Sequence, residues 1–363
     1  MTCAVGCSDT STESSTAEAE QNEAEVVRRV AQSFTVHDGT LYRIDQEGDL
    51  WSGPVDHPEA DSVLARVEAG PPMGSRNYDL AVTESHVIVN ERAYSFRAHR
   101  ISRASHTVES LGDDTMFPSQ SPLIVVGDED AVYGMSFSRP AIWKQAADAN
   151  AFALVYQSVH VDGVGNDLTY MTSIAPYEGQ IYGFDYYGGP FRLESATRQF
   201  EWIGTAGAKL KTPGNPNRPL ITTLVDEATV YILGTGSGTG ENEPSCTIAG
   251  FNAPHAQLIA MPRSAALGTT ATLLVDIAAD AWDLHMDATH FYFQDYCNGD
   301  IFAAPKTGGA PTKLAGRKKT HPRNESNPSW GDKYDYQYRL PIAVDRGFVY
   351  FLDDDTIKRV AKP

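Results

Sequence analysis

The chain has 363 residues, of which 41% are hydrophobic, and it carries a formal net charge of −18 at pH 7. This length fits two average domains or one large all-β domain, and the hydrophobic content is sufficient for an extensive core. No run of 18 apolar residues occurs, so we expect no membrane-spanning helix. The acidic balance argues against nucleic acid as a partner, because phosphate binding requires a basic surface.

Residues 1–25 are expected to lie outside the folded domain. The tract after Cys7 is rich in Ser, Thr, Glu and Ala and has almost no core-forming residue before Val26, a composition typical of a flexible tether. The segment Ala4-Val5-Gly6-Cys7 resembles the lipobox of bacterial lipoproteins, which implies lipidation at Cys7 and an extracytoplasmic location, anchored or secreted. Only six residues precede Cys7, fewer than a signal peptide needs, so an acidic tail on a soluble protein is the alternative.

A repeated unit of roughly 50 residues occupies the rest of the chain, 26–363. Each copy has an apolar segment ending near an aspartate, a polar turn and a second apolar segment. The centres of these second segments are Tyr42, Ile88, Tyr133, Tyr182, Tyr231, Tyr292 and Tyr350. Alternating apolar positions favour strands, and only 17–31 and 143–154 look helical. We therefore predict an all-β fold, a single β-propeller with seven blades of four antiparallel strands, six or eight blades being the alternatives.

The two ends of the repeat region predict how the ring closes. The last unit stops after its third strand, whereas an extra strand-like segment, 25–32, precedes the first unit. An N-terminal strand can complete the last blade and remove an exposed sheet edge. Val26–Ala31 is therefore predicted to form the outer strand of the blade whose inner strands lie within 340–362.

The units resemble extracytoplasmic β-propeller repeats of the YWTD, NHL and TolB-like type, in the variety found in secreted bacterial proteins of unknown function. The resemblance is clearest at 34–56, 291–316 and 342–363. The Tyr-Trp-Thr-Asp signature is absent, and "YFQD" and "YFLD" are the nearest approaches to it. The resemblance implies the architecture and an extracytoplasmic location, but it implies no ligand specificity.

The long connections of the predicted blades fall at one rim. If strands A to D run outward from the channel, B–C and D–A connections share a rim, and the long segments are 69–79, 112–122, 204–219, 234–254 and 316–338. Binding residues concentrate on such loops. Basic and aromatic side chains there suit an anionic or carbohydrate-like ligand, whereas solvated charges and tyrosines packing loop against loop are the alternative. The predicted ligand-binding residues are Arg76, Tyr78, Tyr186, Tyr187, Lys209, Lys211, Arg317, Lys318, Lys319, Arg323, Trp330 and Tyr334.

Recurring aspartates are predicted to hydrogen-bond turn backbone rather than to act in catalysis. They are Asp128, Asp226, Asp287 and Asp345 after the first strand, and Asp45, Asp185, Asp295 and Asp353 after the second.

A weak candidate metal site is the set Asp283, His285 and Asp287, which would share one face of a strand. No second cluster supplies further ligands, so no metal or other cofactor is predicted. Cys246 and Cys297 could form a disulfide in an exported chain, and two free thiols are the alternative.

The sequence favours a non-enzymatic, monomeric binding module over an enzyme. It would bind a protein, peptide or glycan at the loop-rich rim and reach a membrane only through a lipid anchor at Cys7. The alternative is an extracytoplasmic lyase or hydrolase at the channel mouth, with or without a metal. A third hypothesis is a rigid cell-envelope spacer whose basic loops contact anionic polymer.

Overall fold

The structure, a computed structural model, describes most of the chain from Ala24 to Pro363. It leaves out 1–23, 30–32, 68–76, 93–95, 114–122, 127–129, 137–139, 148, 150, 159–167, 169–170, 186–188, 205–220, 237–254, 278–280, 296–298, 317–340 and 354–355. In the described part the strands form seven antiparallel sheets of four strands each. The predicted all-β, seven-bladed propeller is confirmed.

Each sheet is one blade, with strands A to D in the order in which they are hydrogen-bonded. Blade 1 holds β2 (Ser33–His37), β3 (Thr40–Ile44), β4 (Asp49–Pro54) and β5 (Ser62–Arg66), with a 3-10 turn at Pro58–Ala60. Blade 2 holds β6 (Asn77–Val82), β7 (His86–Arg92), β8 (Phe96–Ser102) and β9 (Val108–Asp113). Blade 3 holds β10 (Leu123–Val126), β11 (Val132–Ser136), β12 (Ala141–Gln145) and β13 (Ala153–Gln157). Blade 4 holds β14 (Met171–Tyr177), β15 (Gln180–Asp185), β16 (Gly189–Glu194) and β17 (Phe200–Trp202).

The remaining blades follow the same order. Blade 5 holds β18 (Ile221–Val225), β19 (Thr229–Gly236), β20 (His255–Pro262) and β21 (Thr272–Ile277). Blade 6 holds β22 (Ala281–Met286), β23 (His290–Asp295), β24 (Ile301–Pro305) and β25 (Thr312–Ala315). Blade 7 holds β26 (Ile342–Asp345), β27 (Phe348–Asp353), β28 (Thr356–Ala361) and β1 (Glu25–Arg29). The A strands of successive blades contact one another around the whole ring, including β26 with β2.

The N-terminal strand closes the ring as predicted. β1 runs antiparallel to β28, with Glu25 opposite Arg359 and Arg29 opposite Thr356. The helical expectation for 17–31 and 143–154 is wrong where the structure describes those residues, because β1, β12 and β13 are strands. Each of these segments forms backbone hydrogen bonds with the edge of a neighbouring strand. This tertiary pairing outweighs a weak local preference for helix.

The core lies between the faces of adjacent blades. The central residue of every B strand, predicted from the repeat, is buried and no more than 6% exposed. Tyr231 of blade 5, for example, packs edge-to-face on Phe291 of blade 6 at 4.9 Å between ring centroids. Alternating side chains of each strand thus serve two inter-blade interfaces, which explains the period-2 pattern of the sequence.

The strand order separates two rims of different character. The A–B and C–D connections share one rim, which we name the turn rim, and its A–B turns are short, such as 38–39 and 178–179. The B–C and D–A connections share the opposite rim, which we name the loop rim. The long connections at the loop rim are 67–76, 114–122, 158–170, 203–220, 237–254 and 316–341. No helix among the described residues is long and apolar enough to cross a membrane.

Candidate functional site

Most of the predicted ligand-binding residues fall outside the described part of the chain. These are Arg76, Tyr186, Tyr187, Lys209, Lys211, Arg317, Lys318, Lys319, Arg323, Trp330 and Tyr334. Tyr78 is described, and its ring is 4% exposed within the core cluster between blades 1 and 2. This burial favours a packing role for Tyr78.

The three cysteines with predicted roles also lie outside the described residues. They are Cys7, Cys246 and Cys297.

Asp287 and Asp226, which follow the A strands of blades 6 and 5, have the predicted structural role in their turns, and they also join neighbouring blades. Asp287 Oδ1 accepts hydrogen bonds from the backbone N–H of Thr289 (2.8 Å) and His290 (2.9 Å). Its Oδ2 accepts from the Tyr292 hydroxyl at 2.8 Å and lies 3.1 Å from Lys362 Nζ of blade 7. Although burial opposes ionisation, these donors hold the pKa of Asp287 below its ordinary value.

Asp226 repeats this arrangement between blades 5 and 6. It accepts from the backbone N–H of Thr229 (3.0 Å) and the Tyr231 hydroxyl (2.9 Å), and Lys306 Nζ of blade 6 lies at 2.6 Å. Burial opposes the charge here too, but the Lys306 hydrogen bond and the other donors lower the pKa of Asp226. Ion pairs between neighbouring blades therefore stabilise the turn rim.

Of the other recurrent aspartates, some make hydrogen bonds within their own turn and others make hydrogen bonds to a neighbouring blade. Asp345 accepts from the backbone N–H of Gly39 in blade 1 at 2.8 Å instead of capping its own turn. Asp45 accepts from the backbone N–H of Asp49 at 2.9 Å, as predicted. Asp128 is outside the described residues. Asp185, Asp295 and Asp353 are buried at the ends of their B strands.

The A strands that surround the central channel place one ionisable residue, His285, in a layer of otherwise uncharged residues. The A-strand residues paired with the B-strand centres form one layer around the ring: Thr35, Ala81, Val125, Ala175, Leu224, His285 and Ala343. His285 is the only ionisable residue of this layer. The side chain of His285 is 36% exposed. Because strand B and the adjacent blades cover the other sides of strand A, solvent reaches His285 from the channel.

Asp283 is brought beside His285 by a β-bulge in β22. The pairing with β23 is regular up to Trp282 and resumes at His285, so Asp283 and Leu284 together oppose Phe293. Asp283 has φ +53°, a left-handed conformation that is uncommon for a residue other than glycine. Bulges redirect side chains and are frequent beside functional sites.

The carboxylate of Asp283 joins His285 to the next blade. Its Oδ1 lies 3.2 Å from His285 Nε2, and its Oδ2 accepts from the backbone N–H of Ile342 in blade 7 at 2.7 Å. Burial disfavours the charged imidazole, but the charge and hydrogen bond of Asp283 outweigh burial and raise the pKa of His285. His285 makes no other hydrogen bond, ion pair or ring contact with a described residue.

Asp287 does not join this pair. The bulge interrupts the alternation that would align the three side chains, and Asp287 lies beyond the end of β22, engaged in its turn. Among the described residues no group of three or more His, Cys, Asp or Glu side chains could hold a metal ion.

One step nearer the loop rim, the A strands carry mainly polar residues. Two positions before the central layer stand Ser33, Asp79, Leu123, Ser173, Thr222 and Pro341, and the bulge of β22 places Asp283 between this level and the central layer. Asp79 is exposed, Thr222 and Asp283 are half-buried, and Ser33 and Ser173 are buried. No A strand contains Lys or Arg. The described channel mouth therefore presents carboxylate, hydroxyl and imidazole groups. Asp79 and Thr222 are not distinguished by any local sequence pattern, because their common level follows only from strand register.

Comparison with solved structures shows the same fold at low sequence identity. A streptogramin B lyase is 13% identical, with 93% of this chain and 96% of that chain covered and a TM-score of 0.57. Virginiamycin B lyase from Staphylococcus aureus is 11% identical, with 93% and 98% covered and a TM-score of 0.57. The N-terminal domain of Nup159 is 8% identical, with 93% and 90% covered and a TM-score of 0.52.

Sequence comparison adds no family assignment. No protein-family model and no curated protein matches the chain. Because the structural relatives include lyases and a domain of Nup159, the likeness shows a propeller fold without fixing an activity.

Proposed function

We propose that this protein is an extracytoplasmic binding module that uses its loop rim to engage a glycan, a peptide or a protein. The observation that carries the proposal is the unequal division of the connections between the two rims. The turn rim consists of short turns joined by inter-blade ion pairs such as Lys306–Asp226 and Lys362–Asp287. The loop rim carries the long connections, and long loops on a scaffold of packed sheets are the usual place for a binding surface.

The direction of the closing strand is consistent with this proposal. β1 begins at the turn rim with Glu25 and ends at the loop rim with Arg29, opposite Thr356. Residues 1–24 therefore join the propeller from the turn rim. An anchor at Cys7 would leave the loop rim directed away from the attachment, where a partner can reach it.

The test is a binding screen of the full chain against glycans and polyanions. A variant with Arg317, Lys318 and Lys319 replaced by Ser removes three loop-rim charges. The matched control replaces Arg198, Lys313 and Arg346 by Ser, which removes the same charge from C–D, D-strand and A–B positions. We expect anionic ligands to lose affinity for the first variant alone. Equal weakening of both variants would indicate a general charge effect, and absence of any binding would contradict a glycan or anionic ligand at the loop rim.

A second candidate function, an enzyme at the channel mouth, is favoured by the His285–Asp283 pair. An imidazole oriented by a carboxylate is a common general base, and the bulge and positive φ of Asp283 mark a site held in an unusual geometry. The test is whether a ligand found in the screen is converted by the protein and left unchanged by His285→Gln. Binding without conversion would leave the module as the function.

A further inference from the structure

The free nitrogen of His285 is the most distinctive chemical group described in the channel. Nε2 faces Asp283 Oδ1 at 3.2 Å, which favours the tautomer with the proton on Nε2. In this neutral tautomer Nδ1 is a hydrogen-bond acceptor, and in the charged imidazole it is a donor. It has no partner among the described residues, on a side chain that keeps 36% of its exposure. A partly buried ring nitrogen that has no partner among the described residues is suited to a ligand hydroxyl, which can donate to it or accept from it.

The surroundings of His285 resemble those of a small-molecule site. Its own layer is otherwise formed by Thr35 and small or apolar residues, including Ala81 and Leu224. The layer toward the loop rim adds the hydroxyl of Thr222 and the carboxylates of Asp79 and Asp283. Ligand pockets typically combine an apolar wall with a few placed polar groups.

We propose that the channel mouth binds a neutral, hydroxyl-bearing ligand of the saccharide class, with His285 Nδ1 accepting a hydrogen bond from a ligand hydroxyl. This inference rests on the proposed binding function. It adds a second contact region, inside the channel, to the binding surface at the loop rim. Ligand hydroxyls can also donate to carboxylate oxygens and exchange hydrogen bonds with Thr222.

The charges of the described mouth argue against ionic ligands. An anion would meet the carboxylate of Asp283, and no A strand contributes Lys or Arg to the channel. A cation would compete with the partners that Asp283 already has, His285 and the Ile342 amide.

The experiment compares saccharides that differ only in charge. The full chain is screened against neutral oligosaccharides and their uronate and amino-sugar counterparts. Three variants are tested in parallel: His285→Phe, the loop-rim variant with Arg317, Lys318 and Lys319 replaced by Ser, and the control His37→Phe. His37 is an A-strand histidine near the turn rim with 32% side-chain exposure.

We expect a neutral oligosaccharide to bind and His285→Phe to weaken it about tenfold, the size of one lost hydrogen bond. The His37→Phe and loop-rim variants should keep that affinity. Long-range ¹H–¹⁵N spectra of the unmodified protein should show His285 Nδ1 shifting on saccharide addition, which is independent of how well the variant folds.

The two proposals fail in different ways. If no neutral saccharide binds, or if one binds without affecting His285 Nδ1 and with equal affinity to His285→Phe, the channel site is overturned. If uronates bind and only the loop-rim variant weakens them, the binding module stands and the channel site falls. If amino sugars alone bind and depend on His285, the site takes cations and the neutral-ligand inference is wrong.

Discussion

Arg28 Nε of the closing strand lies 2.8 Å from Asp61 Oδ2 of blade 1, and the two side chains are only 6% and 10% exposed. A second guanidinium nitrogen of Arg28 donates to Asp61 Oδ1 at 3.0 Å, and Nη2 also donates to the carbonyl of Pro54 at 2.9 Å. The strand that completes blade 7 is thus fastened to blade 1 as well as to β28. Ring closure depends on a bidentate, nearly buried ion pair.

We therefore expect Arg28→Ala to lower the free energy of unfolding by about 3 kcal/mol, because it leaves Asp61 buried beside a weaker partner. That partner is Arg43, whose Nε is 3.5 Å from Asp61 Oδ2. Urea unfolding measures the change. The control is Arg346→Ala, because the ion pair of Arg346 with Asp38 is exposed at 64% and 82% and should contribute little to stability. Equal effects of the two substitutions would contradict a special role for Arg28.

Removal of the closing strand should have a larger effect than any single substitution. A chain beginning at Ser33 lacks β1 and therefore exposes the edge of β28. It also lacks Arg28, which leaves the Asp61 carboxylate without its main partner. We expect a clearly lower melting temperature by calorimetry. A chain beginning at Ala24 keeps β1 and serves as the control, with melting unchanged. If both truncations melt like the full chain, the strand does not stabilise the ring.

The turn-rim carboxylates should make stability pH-dependent. The pKa values of Asp226 and Asp287 lie below the ordinary 3.8 in the folded state, so their contribution is present above that value and is lost as the pH falls below it. We expect Asp287→Asn to lower the free energy of unfolding by about 2 kcal/mol at pH 7, and by less at pH 3.

Urea unfolding at pH 7, 5 and 3 measures this dependence. Glu84→Gln is the control, because the Glu84 side chain is 86% exposed and should contribute little at any pH. A difference between Asp287→Asn and the unmodified protein that stays constant down to pH 3 would show that the ionised carboxylate is not the stabilising form.

Asp283 should control the ionisation of His285. Burial alone lowers a histidine pKa, and the carboxylate of Asp283 reverses that effect. We expect Asp283→Asn to bring the pKa of His285 below its ordinary value of 6.5, measured by NMR titration. His86 is an internal control: burial and the charge of Arg100 lower its pKa at a distant turn, and it should not change. An unchanged pKa of His285 would show that the pair is not coupled.

The sequence by itself determined the architecture. The recurring segments centred between Tyr42 and Tyr350 predicted seven B strands. Each blade needs one buried B-strand centre, so the number of such segments equals the number of blades. The missing fourth strand after 342–363 predicted the closing role of Val26, because an open sheet edge is unfavourable. The A–B aspartates were predictable for a local reason, since Asp226 and Asp287 cap turns only a few residues away.

Only the tertiary structure decided which residues meet. Trp282 to Asp287 alternates like a regular strand, and nothing in those letters indicates the bulge that places Asp283 beside His285. The bulge is held by the amide of Ile342, 59 positions later in the chain. Likewise Arg28 meets Asp61 only because ring closure brings the first strand beside blade 1. Local patterns specify strands and turns, whereas contacts between blades depend on register and closure, which short-range sequence does not encode.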